Sequence, residues 1–290
     1  MAAHKTPAAN RGAASLVYFN YRDAPSARLV RGPLQLKKFM QGYAFTVLLL
    51  RHRATPDFLD LSAKDERLAD IVAPPTRTNF FAQMLDLAAD GYTIDVFLLC
   101  HGWKTGFGGA DGADAGEDRI GNDDIAASLA SARTGFTCMP IRIVWGTDCR
   151  GSERNAAWLG AGARAVSGSR AINFYPGGAN DFIDAWNQGD VSFDQAVASA
   201  DTEVVRTVAQ TWLAYIDAPA QKRAGRWGGC SFGKTVLGDD ACAKAYFSAC
   251  WALDGDWEAG RSGMEMMDIS SFKVRGGDTS LTKNGVARWS

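Results

Sequence analysis

Short apolar runs rich in β-branched and aromatic residues are the feature of this sequence that most limits its fold. Four runs are clear and a fifth is weaker: Ser15 to Tyr21, Ala44 to Leu50, Thr93 to Cys100, Ile141 to Trp145, and Ala163 to Phe174. Each is typical of a strand, and segments with a helical pattern separate them. Hydrophobic strands that alternate with helices indicate a parallel sheet covered on both faces. We therefore expect an α/β fold with functional groups at the carboxyl ends of the strands.

Composition and charge exclude several functional classes. The 290 residues are 47% hydrophobic and 22% charged, which suits one globular domain of about 200 to 250 residues with extensions. Because 31 lysines and arginines nearly balance 32 aspartates and glutamates, no net field directs the protein to nucleic acid. No apolar run approaches the ~20 residues of a membrane span, and six scattered cysteines are typical of a reducing compartment. We expect a cytoplasmic protein with no nucleic-acid or membrane partner, and its oligomeric state stays open.

Changes of pattern along the chain divide it into three parts. We expect an N-terminal extension at 1–40 with a candidate edge strand, a main domain at 41–217, and a linker with a C-terminal segment at 218–290. The linker begins with APAQKRAGRWGG, which is basic and rich in glycine, as exposed connections often are. The segment after it has weak signals, and it is either separate or completes the same domain.

Two chemically active side chains follow predicted strands. The run IDVFLLC at 94–100 leads into His101, and the run IRIVW at 141–145 leads through a glycine to Cys149. Because the carboxyl ends of neighbouring parallel strands meet at one edge of a sheet, we expect these side chains to lie close together. A cysteine nucleophile needs a nearby base, and histidine is the commonest one. The sequence therefore predicts a dyad in which His101 is the general base and Cys149 the nucleophile.

Features beside Cys149 favour its thiolate form. A helical pattern begins just after it, and the positive end of such a helix would lower the pKa of the thiol. Arg150 adds a neighbouring cation. A cysteine at a strand end is, by itself, more often a small buried hydrophobe than a nucleophile. We interpret Cys100, which lies inside the apolar run, as such a core residue.

The segments VFLLCHG at 96–102 and IRIVWGTDC at 141–149, the second continuing as Cys-Arg-Gly, resemble the caspase-like superfamily of cysteine peptidases. That group includes caspases, metacaspases, legumains, clostripains and gingipains. The stretch AAWLGAGARAVSGSR at 156–170 also looks like the helix and strand that follow the nucleophile there, so the resemblance covers roughly 44–187. It implies a caspase-like three-layer sandwich with a mostly parallel central sheet flanked by helices. The implied activity is that of a cysteine endopeptidase, which acts on protein or peptide substrates and requires no cofactor.

The resemblance also implies roles for neighbouring groups. The backbone N–H groups of Gly102 and Cys149 would form the oxyanion hole. Several members that cleave after basic residues carry an acidic residue two places before the cysteine, where this chain has Thr147 and then Asp148. Asp148 would favour a basic substrate side chain and Arg170 an acidic one. Substrate preference therefore stays open, with a lean towards basic residues.

Two further features suggest regulation. The glycine-rich loop after His101 contains Asp111, Asp114, Glu117 and Asp118, a candidate calcium site although the spacing is not that of an EF-hand. The run KRAGR at 222–226 offers basic positions for self-cleavage. Either device would control the activity of the dyad.

Other motifs support weaker alternatives. The sequence GCSFG at 229–233 matches the nucleophile motif of α/β-hydrolases with Ser231, but all three histidines precede it and that fold needs one after the serine. The overlapping GGCSFGKT at 228–235 matches a phosphate loop without the strand that such a loop requires. Cys230, Cys242 and Cys250 lack the paired spacing of a zinc site. The principal rival is a caspase-like domain that binds partners without cleaving them, because a fold does not establish activity.

Overall fold

The computed structural model describes residues 11–20, 36–50, 71–108, 119–129, 138–169, 178–201 and 273–285. Over these residues the chain has an α/β architecture with one mixed, mostly parallel sheet. Its strands are Ala13–Asn20 (β1), Phe45–Leu50 (β2), Ile71–Ala73 (β3), Thr93–Trp103 (β4), Gly106–Gly108 (β5), Arg119–Gly121 (β6), Ile141–Gly146 (β7), Ala165–Ser169 (β8) and Lys273–Gly277 (β9). They are ordered β3-β2-β1-β4-β7-β8-β9, and β5 and β6 extend from β4 as antiparallel pairs. Along the order β3-β2-β1-β4-β7-β8 every neighbouring pair is parallel, whereas β9 is antiparallel to β8.

Helices cover both faces of this sheet. They are Arg77–Ala89 (α1), Asn122–Leu129 (α2), Asn155–Ala161 (α3) and Gly178–Trp186 (α4), with 3-10 turns at Leu36–Phe39 and Gly151–Arg154 and a helical segment at 193–201. The first three helices pack on one face, in a cluster that includes Phe80 and Trp158. The fourth helix and the 193–201 segment pack on the other face, with Phe182 and Phe193. None of the helices that the structure describes is long and apolar enough to cross a membrane.

Successive side chains of the central strands point to opposite faces of the sheet, which explains why the fold has two apolar clusters. In β4, Val96 and Leu98 belong to the first cluster, whereas Phe97 and Leu99 belong to the second. Because both faces of the strand are apolar, it forms one continuous hydrophobic run in the sequence. The predicted α/β class with a mostly parallel sheet is confirmed. The sequence did not predict the strands at 71–73, 106–108, 119–121 and 273–277.

The structure places strands from both expected end segments in the same sheet as the main domain, which differs from the expected edge position of the first strand and agrees with the alternative that the C-terminal segment completes the same domain. The edge strand expected in the N-terminal extension is β1, and it lies inside the sheet, paired with β2 on one side and β4 on the other. Its residues from Ala14 to Asn20 are all buried, which requires neighbours along both edges and layers on both faces. At the other end, β9 pairs with β8, so 273–277 belong to the same sheet. The expected boundaries at 41 and 217 therefore separate strands of one sheet.

A buried ion pair joins β4 to β7 near the amino ends of these strands. Ile94 pairs with Ile141 but Asp95 pairs with Ile143, so Arg142 is an extra residue in β7. Such an irregularity redirects a side chain, and here the Nε and Nη2 atoms of Arg142 donate to the two carboxylate oxygens of Asp95 at 2.8 and 2.7 Å. Both side chains are almost fully buried.

The network around Asp95 also includes Tyr43 and Trp186 and, through Lys283, the turn after β9. The hydroxyl of Tyr43 and the indole N–H of Trp186 donate to Asp95 at 2.7 and 3.1 Å. The Nζ atom of Lys283 lies 4.1 Å from the centre of the Tyr43 ring and donates to the side-chain oxygen of Asn187 at 2.5 Å. Burial lowers the pKa of Lys283 to about 8 and raises the pKa of Tyr43 well above its usual value. The last described residues are thus part of the folded domain.

We predict that Arg142→Met lowers the free energy of unfolding by about 3 to 5 kcal/mol, because the Asp95 carboxylate stays buried without its cation. Urea denaturation followed by circular dichroism measures the change. The double variant Asp95→Asn with Arg142→Met is the control, since a neutral amide can still accept from Tyr43 and Trp186. The double variant should be the more stable of the two, and the reverse order would contradict the assignment.

Candidate active site

The ends of β4 and β7 meet at one edge of the sheet. The two strands are adjacent and parallel, and Leu98 pairs with Gly146, the last residue of β7. The backbone N–H of Thr147 then donates to the carbonyl of Leu98 at 2.8 Å, which extends the pairing by one residue. Cys149 follows two residues later, in the turn that leaves this edge. The adjacency expected for these two strands is observed.

Gly102 is the position where β4 packs against the Cys149 turn. His101 lies inside β4, directly before Gly102, and pairs with Gly108 of β5. A Cβ atom at Gly102 would lie 2.4 Å from the carbonyl oxygen of Cys149 and 2.9 Å from its backbone nitrogen. Only glycine allows backbones to approach this closely. His101 and Cys149 are both half-buried, so two reactive side chains leave neighbouring backbone segments at a partly accessible edge.

The guanidinium group of Arg154 joins the two segments. Its Nη1 atom donates to the carbonyls of Trp103 and Gly106 at 2.9 and 3.0 Å, and its Nη2 atom donates to the carbonyl of Cys149 at 3.1 Å. The side chain is fully buried and lies over the ring of Phe107. Hydrogen bonds from a charged donor are stronger than neutral ones. Arg154 thereby fixes the end of β4 relative to the Cys149 turn.

Asp148 is the second charge in this cluster. Its carboxylate is 2% exposed and accepts from the Nη2 atom of Arg154, with which it forms a salt bridge. This location favours a role in shaping the turn over the contact with substrate that the sequence suggested, because the carboxylate faces Arg154 inside the protein. Arg170, the alternative substrate contact, lies outside the described residues.

The segment after Cys149 differs from the predicted helix. Arg150 has a left-handed backbone (φ 53°), and a 3-10 turn at Gly151–Arg154 precedes α3, which begins only at Asn155. The positive end of an α-helix is therefore not placed directly after the cysteine. The exposed Arg150 side chain lies 3.9 Å from a carboxylate oxygen of Glu153, which partly balances its charge.

Lys273 is a cation at the base of the Cys149 turn that no sequence pattern predicted. It opens β9, is 2% exposed, and donates from Nζ to the carbonyl of Gly146 at 2.5 Å. Burial lowers the pKa of this amine to about 8 and raises that of the neighbouring buried Asp201 to about 6. No local pattern identifies either Lys273 or Arg154, because each is an ordinary basic residue in the sequence. Their burial depends on partners far along the chain.

Cys100 is a core residue, as expected. It is 1% exposed, and burial raises the pKa of its thiol well above the usual value. It belongs to the cluster under α1 to α3. A neutral, buried thiol is a poor nucleophile, so of the two cysteines near this edge the half-buried Cys149 is the one suited to chemistry.

Several predicted features lie outside the described residues. They are the candidate calcium ligands Asp111, Asp114, Glu117 and Asp118, the basic run at 222–226, and the motifs around Ser231. Within the described ranges, no group of three or more histidine, cysteine, aspartate or glutamate side chains is arranged to hold a metal ion. The calcium site stays a prediction.

Comparison with known proteins adds no assignment. No model of a protein family matches the chain, and no curated protein sequence matches it.

We predict that Gly102→Ala lowers the free energy of unfolding by about 1 to 3 kcal/mol, because the added methyl group displaces the Cys149 turn. It should also slow alkylation of Cys149 by iodoacetamide, measured by mass spectrometry of the Cys149 peptide. Gly160→Ala is the matched control. Gly160 is exposed in α3 with no atom within 4 Å of an added Cβ, so this change should stabilise the protein by about 0.5 to 1 kcal/mol and leave alkylation unchanged. Equal behaviour of the two variants would refute the packing argument.

Proposed function

We propose that this chain is a cysteine endopeptidase with a caspase-like three-layer fold, in which Cys149 is the nucleophile and His101 the general base. One observation carries the proposal: the backbone of Gly102, next to His101, packs directly on Cys149. Residues 48 positions apart in sequence (149 minus 101) are thereby placed at one edge of a parallel sheet. A base and a thiol in neighbouring segments at a partly accessible edge are what nucleophilic catalysis requires.

The buried charges support the same assignment. Arg154 donates to the carbonyl of Cys149 and to two carbonyls at the end of β4. Preorganised geometry of this kind raises the rate because the reacting groups need no further ordering. The mostly parallel sheet with helices on both faces is the architecture that the resemblance implies, and the site lies at the carboxyl ends of its strands, where such folds carry function.

The reaction follows from these roles. The thiolate of Cys149 attacks the scissile carbonyl carbon, and the backbone N–H groups of Gly102 and Cys149 are the proposed donors to the oxyanion. Protonated His101 gives its proton to the leaving amine as the C–N bond breaks, which leaves a thioester on the sulfur. His101 then takes a proton from water, the resulting hydroxide attacks the thioester, and the C–S bond breaks to release the acid product, which restores the Cys149 thiolate beside protonated His101.

We predict that Cys149→Ala and His101→Ala each reduce hydrolysis of a peptide library by about a thousandfold or more. The double variant should lose little beyond either single one, because nucleophile and base act as a unit. Stability should change by about 1 kcal/mol or less, since both side chains are only half-buried. Cleavage is followed by mass spectrometry, which also reveals whether basic residues precede the cleaved bonds.

Cys100→Ala is the matched control, because that thiol lies in the core of the same strand as His101. It should cost stability and preserve hydrolysis. The endopeptidase assignment fails if folded Cys149→Ala cleaves at the parent rate. A parent that neither cleaves peptides nor reacts selectively at Cys149 with iodoacetamide at neutral pH would instead be a binding domain of the same fold.

A further inference from the structure

The side chain of Lys273 reaches the base of the Cys149 turn from the C-terminal strand. Lys273 is paired with Ser169 of β8, and its ammonium group lies 4.3 Å from the centre of the Trp145 ring. It donates to the carbonyl of Gly146 at 2.5 Å. Gly146 is the last residue of β7, so the ammonium group binds the chain at the point where the turn begins.

The rest of the turn is confined by backbone packing. Its first N–H, from Thr147, is bonded to Leu98 of β4. At its far side, a Cβ atom at Gly168 of β8 would lie 2.1 Å from the carbonyl carbon of Gly151, so these two glycines are in direct contact. The Lys273 ammonium group, like the guanidinium group of Arg154, is a charged donor to this turn, and a charged donor binds a carbonyl about twice as strongly as a neutral one.

Three charged groups among the described residues act on this ammonium group. Asp201, from the 193–201 segment, and Asp148, from the turn itself, attract it, whereas Arg275 on β9 repels it. Burial outweighs these effects and lowers the pKa of Lys273 from 10.5 to about 8. The ammonium group therefore loses its proton at mildly alkaline pH, where an exposed lysine is still charged.

We propose that Lys273 is a positioning residue of the Cys149 site: its protonated ammonium group fixes the Gly146 carbonyl, and with it the start of the turn that carries the thiol, and the site loses reactivity when that proton leaves. The loss of reactivity follows because the neutral amine binds the Gly146 carbonyl more weakly than the ammonium group does, so the turn that carries the thiol is held less firmly. This inference rests on the proposed role of Cys149 and adds its regulation by pH.

The test is the rate of Cys149 alkylation by iodoacetamide between pH 6 and 10, read from the Cys149 peptide by mass spectrometry. The parent should show the rise due to thiolate formation and a second inflection near pH 8, where Lys273 titrates. Lys273→Met should react about tenfold more slowly at pH 7 and show only the inflection due to thiolate formation. Lys273→Arg, which stays charged throughout, should react quickly at pH 7 without the second inflection.

Lys283→Met is the matched control. Lys283 is also a partly buried lysine whose pKa is lowered to about 8, but it lies by Tyr43, in the network at the amino ends of β4 and β7. Its loss should leave the alkylation profile of the parent unchanged. A change as large as that of Lys273→Met would show that any lost lysine has this effect, and would overturn the inference.

A parent profile with a single inflection overturns the inference. A folded Lys273→Met variant with the same alkylation profile as the parent also overturns it. If Lys273→Met does not fold, Lys273→Arg decides: a second inflection that persists in it rejects Lys273 as the titrating group. Alkylation does not depend on peptide hydrolysis. Failure of the endopeptidase proposal would appear as hydrolysis by Cys149→Ala, and failure of this one as unchanged alkylation profiles.

Discussion

The burial of both faces of the sheet is the constraint on which the rest of this structure depends. Apolar layers lie on each side of the central strands, so reactive side chains that solvent and substrate can reach are expected where the strands end. At the carboxyl ends, β4 and β7 leave the sheet side by side. His101 and Cys149 follow from this arrangement, because each belongs to the first few residues beyond the layer of buried side chains. The candidate chemistry is therefore located by the same burial that stabilises the sheet.

Two buried ion pairs lie near opposite ends of β4 and β7. Asp95 and Arg142 form the first, and Asp148 and Arg154 the second. A buried ion pair adds little net stability compared with well-packed apolar side chains, but it leaves a large penalty for any arrangement in which one partner is missing. Each arginine here also donates to a backbone carbonyl, Arg142 to that of Lys283 and Arg154 to that of Trp103 among others, so the pairs restrict how neighbouring segments can be placed. We interpret them as the groups that fix how the segments around the candidate site are placed relative to one another.

The C-terminal residues contribute at both ends of these strands. Lys273 contacts the carbonyl of Gly146 at the carboxyl end, and Lys283 contacts the Tyr43 ring at the amino end. Both amines have lowered pKa values because burial disfavours their charge. A segment with weak sequence signals thus adds a strand next to β8 and supplies a cation near the candidate site.

The sequence by itself determined the α/β class, the main strands and the two segments that carry His101 and Cys149, because continuous hydrophobic strands between helices suit only a sheet buried on both faces. It did not determine the place of β1, since the same apolar run suits an edge or an interior strand until its neighbours are known. The sequence did not predict the roles of Arg154 and Lys273 for a related reason. Arg154 binds the carbonyl of Trp103, 51 residues away, and Lys273 binds that of Gly146, 127 residues away. A basic side chain in a sequence gives no sign of being buried. Only the tertiary structure brings those partners together, because the burial of a charge is a property of its surroundings and not of the residue.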